Sequence, residues 1–110
     1  MKQICGKLQQ IIPMSFPFVY ADIGAMGGIP EKWEQFRKYL SIVAFEPDER
    51  EYVKLKQKQG FLVFNKAVYR YASNLEFHIT REAGKSSLLP PNRSLLKYFG
   101  NSKRFDVGRL

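Results

Sequence analysis

Three glycines within five residues, Gly24, Gly27 and Gly28, separate an apolar run closed by an acid, Phe18-Val-Tyr-Ala-Asp22-Ile23, from a helix start at Pro30. A turn of this kind between two regular elements limits the possible folds sharply. The run before it is short, β-prone and bounded by Pro17, as expected of a strand in a parallel sheet. After it, Pro30 at a first helical position, Glu31 and Glu34 in the first turn, and Trp33, Phe36 and Leu40 on one face predict a helix to about Leu40. Ser41-Ile-Val-Ala-Phe45 is the next strand. Asp48, followed three residues later by Glu51, is a capping box whose helix should run to about Gln59, where Gly60 stops it. Phe61-Leu-Val-Phe64 begins a third strand. Strand, helix, strand, helix, strand in this order makes a right-handed βαβαβ unit, half of a doubly wound α/β sheet.

The flanks are simpler. Residues 1–17 form a packing helix and lead-in: Ile4, Leu8, Ile11 and Ile12 fall on one helical stripe that Pro13 ends. Residues 18–110 form a single domain, since 110 residues leave no room for a second. Beyond the third strand, Lys66–Tyr71 and Leu75–Thr80 flank Ala72-Ser-Asn74 and read as a β-hairpin. Gly84–Asn92 is a Gly/Ser/Pro-rich loop, Arg93–Phe99 a short helix, and Arg104–Val107 the start of another strand. No internal repeat is present.

Composition narrows the function classes. A chain that is 45% hydrophobic, with nine Phe, buries a core. Its net charge of +8 is spread from Lys2 to Arg109, and its densest runs, Lys54–Lys58 and Lys103-Arg104, read as solvated surface, so a nucleic-acid partner is not expected. Cys5 is the single cysteine, which excludes an intrachain disulfide or a cysteine-based zinc site and fits a reducing compartment. His78 alternates with apolar neighbours and belongs on the polar face of a strand. With no apolar run of about 18 residues and no signal-peptide pattern, the expectation is a cytoplasmic protein without a membrane span. No metal-ligand spacing occurs, and Gly84-Lys85-Ser86 fails as a P-loop because Ile79 stands where that loop needs glycine.

The chemistry concentrates at the glycine turn. It overlays the dinucleotide pattern G-x-G-x-x-G with Asp22 in place of the first glycine. A carboxylate there repels a pyrophosphate but attracts an ammonium. S-adenosylmethionine has an amino acid moiety, a cationic sulfonium and no phosphate. Glu46 follows Asp22 by 24 residues, near the spacing of about 20 at which such folds place an acid on the ribose hydroxyls. Structural readings stand beside these: the glycines serve the turn's own geometry, and Glu46-Pro47 serves as a helix entry.

Asp22-Ile-Gly-Ala-Met-Gly-Gly28, followed by Phe45-Glu-Pro-Asp48, resembles the paired opening motifs of FkbM-type methyltransferases. A third stretch, Ile79-Thr-Arg-Glu-Ala-Gly-Lys-Ser-Ser-Leu-Leu-Pro-Pro-Asn92, resembles the family segment in which a hairpin strand passes through a glycine into Ser-Ser-Leu and a proline–asparagine turn. The resemblance covers residues 18–107 and implies the amino-terminal, cofactor-binding half of a Rossmann-like class I methyltransferase fold. It implies S-adenosylmethionine as methyl donor and a hydroxyl-bearing acceptor such as a sugar. Asp22, Gly24 and Gly27, with Ala25 between them, would line the methionine and ribose side. Glu46 would hold the ribose hydroxyls, Pro47 and Asp48 would flank the adenosine, and Asn65 and Ala67 would lie near adenine. The family's fourth strand and acceptor side fall outside this stretch, and half a site is expected to bind and catalyse weakly. The alternative is a non-catalytic basic interaction module or an inactive fragment of such an enzyme. A partial sheet also exposes an edge near Phe18 or Arg104, which is a template for self-pairing.

Overall fold

Alternation along the apolar runs decides which side of the sheet is packed. In the computed structural model, which describes residues 18–108, three strands pair in parallel in the order β1 (Phe18–Ile23), β2 (Leu40–Phe45), β3 (Phe61–Phe64). The register sets Phe18 against Leu40, Asp22 against Ala44, and Ala44 against Val63. Tyr20, Ile42, Ala44, Phe61 and Val63 therefore share one side, where Ile42 and Ala44 are fully buried. The other side carries Val19, Ile23, Leu62 and Phe64, all exposed, and the stacked rings of Phe45 and Phe64. Parallel sheets are ordinarily covered on both sides; among the described residues this one is covered on one.

The three strands and their order agree with the βαβαβ expectation at the level of a small α/β sheet with helices. The expected packing helix at residues 1–12 lies outside the described residues. The helix expected from Pro30 to Leu40 is a correction. Only Glu31–Glu34 is α-helical (α1), and a 3-10 turn follows at Arg37–Tyr39. Backbone N–H groups of Trp33, Phe36 and Tyr39 each reach three residues back, the tighter 3-10 spacing. Pro30 caps α1 from an extended conformation rather than opening it, and Leu40 is drawn into β2 as the partner of Phe18.

Asp48 does cap a helix, α2 (Glu49–Lys56), which ends three residues before the expected Gln59. The capping box does not form. The Asp48 carboxylate accepts from the Arg50 N–H, while the Asp48 N–H is taken by Glu46 Oε1 and the Glu51 carboxylate pairs with Lys54. Gly60 then turns the chain at φ +78, a conformation that L side chains rarely adopt. A Cβ there meets only Arg37 Nη2 at 3.5 Å, so the cost of Gly60→Ala is conformational. That variant should lose about 1 kcal/mol in denaturant titration.

The hairpin at Lys66–Tyr71 and Leu75–Thr80 is absent; residues 65–77 have no regular structure. His78 instead exchanges backbone hydrogen bonds with Ser87, and Thr80 bridges to Val107. The strand expected at Arg104–Val107 is a 3-10 turn over Ser102–Phe105, with Val107 alone in a bridge. A short helix, α3 (Arg93–Leu96), is present and is capped by the Asn92 side chain. His78 lies half-buried, beside Glu76, rather than on an exposed strand face. Among the described residues no helix is long and apolar enough to cross a membrane.

Candidate functional site

Parallel strands deliver their ends and following turns to one edge of the sheet, and in open α/β sheets ligands bind outside the carboxyl ends. Here that edge holds the glycine turn after β1, the Glu46-Pro47 turn after β2 and Asn65 after β3.

The glycine turn is strapped to β2. Both the Gly24 and Ala25 N–H groups donate to the Phe45 carbonyl, at 2.9 and 3.2 Å, and the Gly28 N–H donates to Ala25 O. Lys58 Nζ donates to the Gly27 carbonyl from the turn that follows α2. Gly24 and Gly27 have φ of +73 and +83, and a Cβ on either would meet nothing within 4 Å. Glycine is required there by the backbone angle, while the space above the turn stays open. With the Gly24, Ala25 and Gly28 amides already partnered and only a single helical turn behind them, the turn is a poor phosphate cradle.

Asp22 and Glu46 stand at the ends of adjacent strands on the packed side of the sheet, Asp22 directly opposite Ala44 and Glu46 two residues beyond it. Asp22 is half-buried and makes no hydrogen bond or ion pair with described residues; burial pushes its carboxyl above the ordinary range. Glu46 is 5% exposed, and its Oε1 accepts the Asp48 N–H at 2.8 Å. Burial, reinforced by the neighbouring Asp48 and Glu51 charges, raises its pKa against the opposing pull of the Asp48 and Met26 backbone N–H groups. Ionised, Asp22 can accept hydroxyl or ammonium hydrogens on both oxygens, and Glu46 on the lone pairs that its backbone N–H partners leave.

Glu46 opens onto a cleft of about 180 Å³ lined by Gly24, Met26, Pro47, Phe77, Gly84 and Ser86. A second cleft of about 380 Å³ shares Pro47 and Phe77 and extends past Asn65 and Ala67. The edge thus offers two neighbouring clefts that share a wall, a groove acidic at β2 and apolar and amide-bearing beside β3, of the concave, mixed character that small-molecule sites have. Asn65 Nδ2 donates to the carbonyls of Glu46 and Pro47, which holds the turn after β2 and leaves the amide oxygen as an acceptor.

Two expected site residues have other work. Ala25 is 1% exposed and packs into the core with Ala44 and Leu55, so only its backbone borders the turn. Asp48 is likewise 1% exposed, with its carboxylate consumed. It receives Arg50 Nε at 2.9 Å and Nη2 at 2.6 Å, and Ser86 Oγ at 3.2 Å. Arg50 goes on to donate to the Thr80 and Arg81 carbonyls, and the Thr80 N–H to Ser86 Oγ. This clamp fixes the 78–87 segment over the groove, and the hydrogen bonds from Arg50 hold the Asp48 carboxyl below the usual range. Ser86 is thereby a structural donor, which disposes of the accidental Gly84-Lys85-Ser86 match.

Phe77 and Met26 are the groove's unanticipated members, and Arg50 the unanticipated member of the clamp beside it. The signal that could have found Phe77 is the alternation of Leu75, Phe77 and Ile79 with polar residues, which sets Phe77 on the apolar side of an extended segment. Among the described residues no cluster of His, Cys, Asp and Glu is placed to hold a metal ion.

The raised pKa values predict a pH dependence for any ligand held by these acids. Binding should weaken as pH falls through the elevated Glu46 pKa, at a higher pH than an ordinary carboxylate would give, and Glu46→Gln should flatten that dependence in titrations across the acid range. For stability the sign is opposite. A carboxyl raised in the fold favours the folded state on protonation, so Glu46 and Asp22 add stability as pH falls toward their unfolded values.

Comparison of the chain with protein-family models, with curated proteins and with solved structures finds no match.

Proposed function

We propose that this chain carries the donor half-site of an S-adenosylmethionine-dependent methyltransferase, with a hydroxyl, such as one on a sugar, as the acceptor. The observation that supports it best is the pair of strand-end carboxylates, Asp22 and Glu46, beside a glycine turn whose Gly24, Ala25 and Gly28 amides are already spent. Such a site suits a ligand with an ammonium and vicinal hydroxyls and disfavours one with a pyrophosphate. In this reading Asp22 faces the cationic amino acid end, Glu46 accepts from the ribose, and Pro47 and Phe77 take the flat faces of the base. Asn65 presents its amide oxygen to the base's amino group. These residues bind and orient; methyl transfer itself would rest on holding donor and acceptor in line.

The test is calorimetric titration of the full chain with S-adenosylhomocysteine, with NAD as control, beside an Asp22→Ala, Glu46→Ala double variant shown by circular dichroism to be folded. Heat with the nucleoside thioether alone, lost in the variant, is the expected result. No binding by the folded wild type would sink the donor-site reading and return the chain to that of a basic interaction module.

A further inference from the structure

In α3 the usual placing of an amphipathic helix is reversed. Leu95, Tyr98 and Phe99 recur at helical spacing, and the turn continues past α3, with the Tyr98 and Phe99 N–H groups donating to the Leu95 and Leu96 carbonyls. A stripe of that kind ordinarily faces a core. Here all three side chains face outward, Leu95 54%, Tyr98 76% and Phe99 59% exposed. The helix is held to the protein by a polar residue instead. Arg93 Nη1 donates to Asp106 at 2.7 Å and Nη2 to the Phe105 carbonyl. Charge around the stripe has one sign. Residues 83–105 carry Lys85, Arg93, Lys97, Lys103 and Arg104 and no acid. Lys97 and Lys103 make no ion pair with described residues, and Lys97 Nζ lies 5.1 Å from the Tyr98 ring centre. Two residues beyond Phe99 opens a cleft of about 480 Å³ lined by Arg81, Asn101, Ser102, Lys103 and Arg104. Arg104 is paired with Glu82, and Arg81 lies 3.9 Å from Asp106, so Lys103 is the cleft's uncompensated charge.

We propose that this turn docks on an anionic membrane surface, with Leu95, Tyr98 and Phe99 entering the boundary between headgroups and acyl chains and Lys97 and Lys103 reaching headgroup phosphates. Shape and charge select that occupant. Three apolar side chains projecting from one turn form a convex tip, which a bilayer accepts and which offers no groove for a partner's helix or strand. Tyr98 pairs an apolar ring with a hydroxyl, the combination that suits a boundary between oil and water. Lysine beside it can lay its stem along the apolar layer and keep its ammonium among the phosphates. The chain's net charge of +8 adds an attraction to the same surface over longer range. A single apolar turn anchors weakly, so both signals are needed at once.

The experiment cosediments the full chain with vesicles of phosphatidylcholine and phosphatidylglycerol in equal parts, and with phosphatidylcholine alone, at low and at high salt. Sedimentation with the anionic vesicles, weakened by salt and absent with the neutral ones, is the expected result. A Tyr98→Ser, Phe99→Ser variant keeps every charge and, because both side chains are exposed, keeps the wild-type melting temperature. It should bind more than about tenfold more weakly. Lys97→Gln and Lys103→Gln should each cost about fivefold and reduce the salt dependence. No sedimentation of the folded wild type with anionic vesicles would overturn the proposal. So would binding that the Tyr98→Ser, Phe99→Ser variant retains in full, since that is adsorption of a basic protein by net charge alone. A dimer of the free chain in sedimentation velocity, abolished by the same variant, would also overturn it by assigning the tip to a second copy.

Discussion

Arg50→Ala lowers the melting temperature by on the order of 15 °C at neutral pH. Asp48 is buried, and Arg50 supplies two of its donors while tying the Thr80 and Arg81 carbonyls to the start of α2. Removing the guanidinium leaves a buried carboxylate with a backbone N–H and a hydroxyl as its only donors. Breaking a buried pair from one side costs about 3–5 kcal/mol, and the lower end applies because the Arg50 side chain is 28% exposed. Arg50→Lys should recover little, since an ammonium cannot replace a fork that reaches a carboxylate and two carbonyls at once. The pH profile supplies a second readout. Asp48 has a folded pKa below its unfolded value, so its stabilisation is present above the unfolded pKa and is lost as pH falls through the folded one. Thermal melts across the acid range should show a shallower acid loss in Arg50→Ala than in wild type. Ligand binding should suffer with stability, because the clamp holds the 78–87 segment that walls the groove.

Leu55→Ala should cost about 3 kcal/mol, read as a fall in the denaturant midpoint. Leu55 is 1% exposed and joins Ala25 and Ala44 in the core cluster, with Phe61 and Val63 packed against it. Two of those three central residues are alanines, so Leu55 fills most of the space between α2 and the sheet. A small domain has little reserve against a cavity at that point. Leu55→Met, which conserves volume, should cost less than about 1.5 kcal/mol. The cavity would border Ala25, in the glycine turn, so partial collapse should also disturb the turn beside Asp22. A variant in which stability fell but the thioether affinity did not would show that the turn is held by its bonds to Phe45 rather than by the core.

The legible parts of the fold were those whose cause is local. Phe18–Ile23 and Phe61–Phe64 were bounded by proline and glycine and appear as read, and β2 begins one residue early because Leu40 pairs with Phe18. Asp22, Glu46 and the left-handed glycines were visible because special backbone angles and strand-terminal acids leave a residue-level trace. The helix after Pro30 failed because a correct apolar spacing says nothing about whether hydrogen bonds close at three residues or four, and pairing of Leu40 with Phe18 decided that. The hairpin failed because alternation at Leu75–Thr80 marks an extended segment without naming its partner; Ser87, Val107 and the Asp48–Arg50 clamp competed for it.

The sequence by itself determined the three strands, the glycine turn and the acids placed at the strand ends, because period, φ and chain order are properties of neighbouring residues. Tertiary structure alone decided that Asp48 would be a clamp, that Ala25 would be core, and that Phe77 would roof the groove beside Glu46. The physical reason is that a buried polar group must take its partners from whatever the fold brings near, and Asp48 and Ser86 meet across 38 residues of chain.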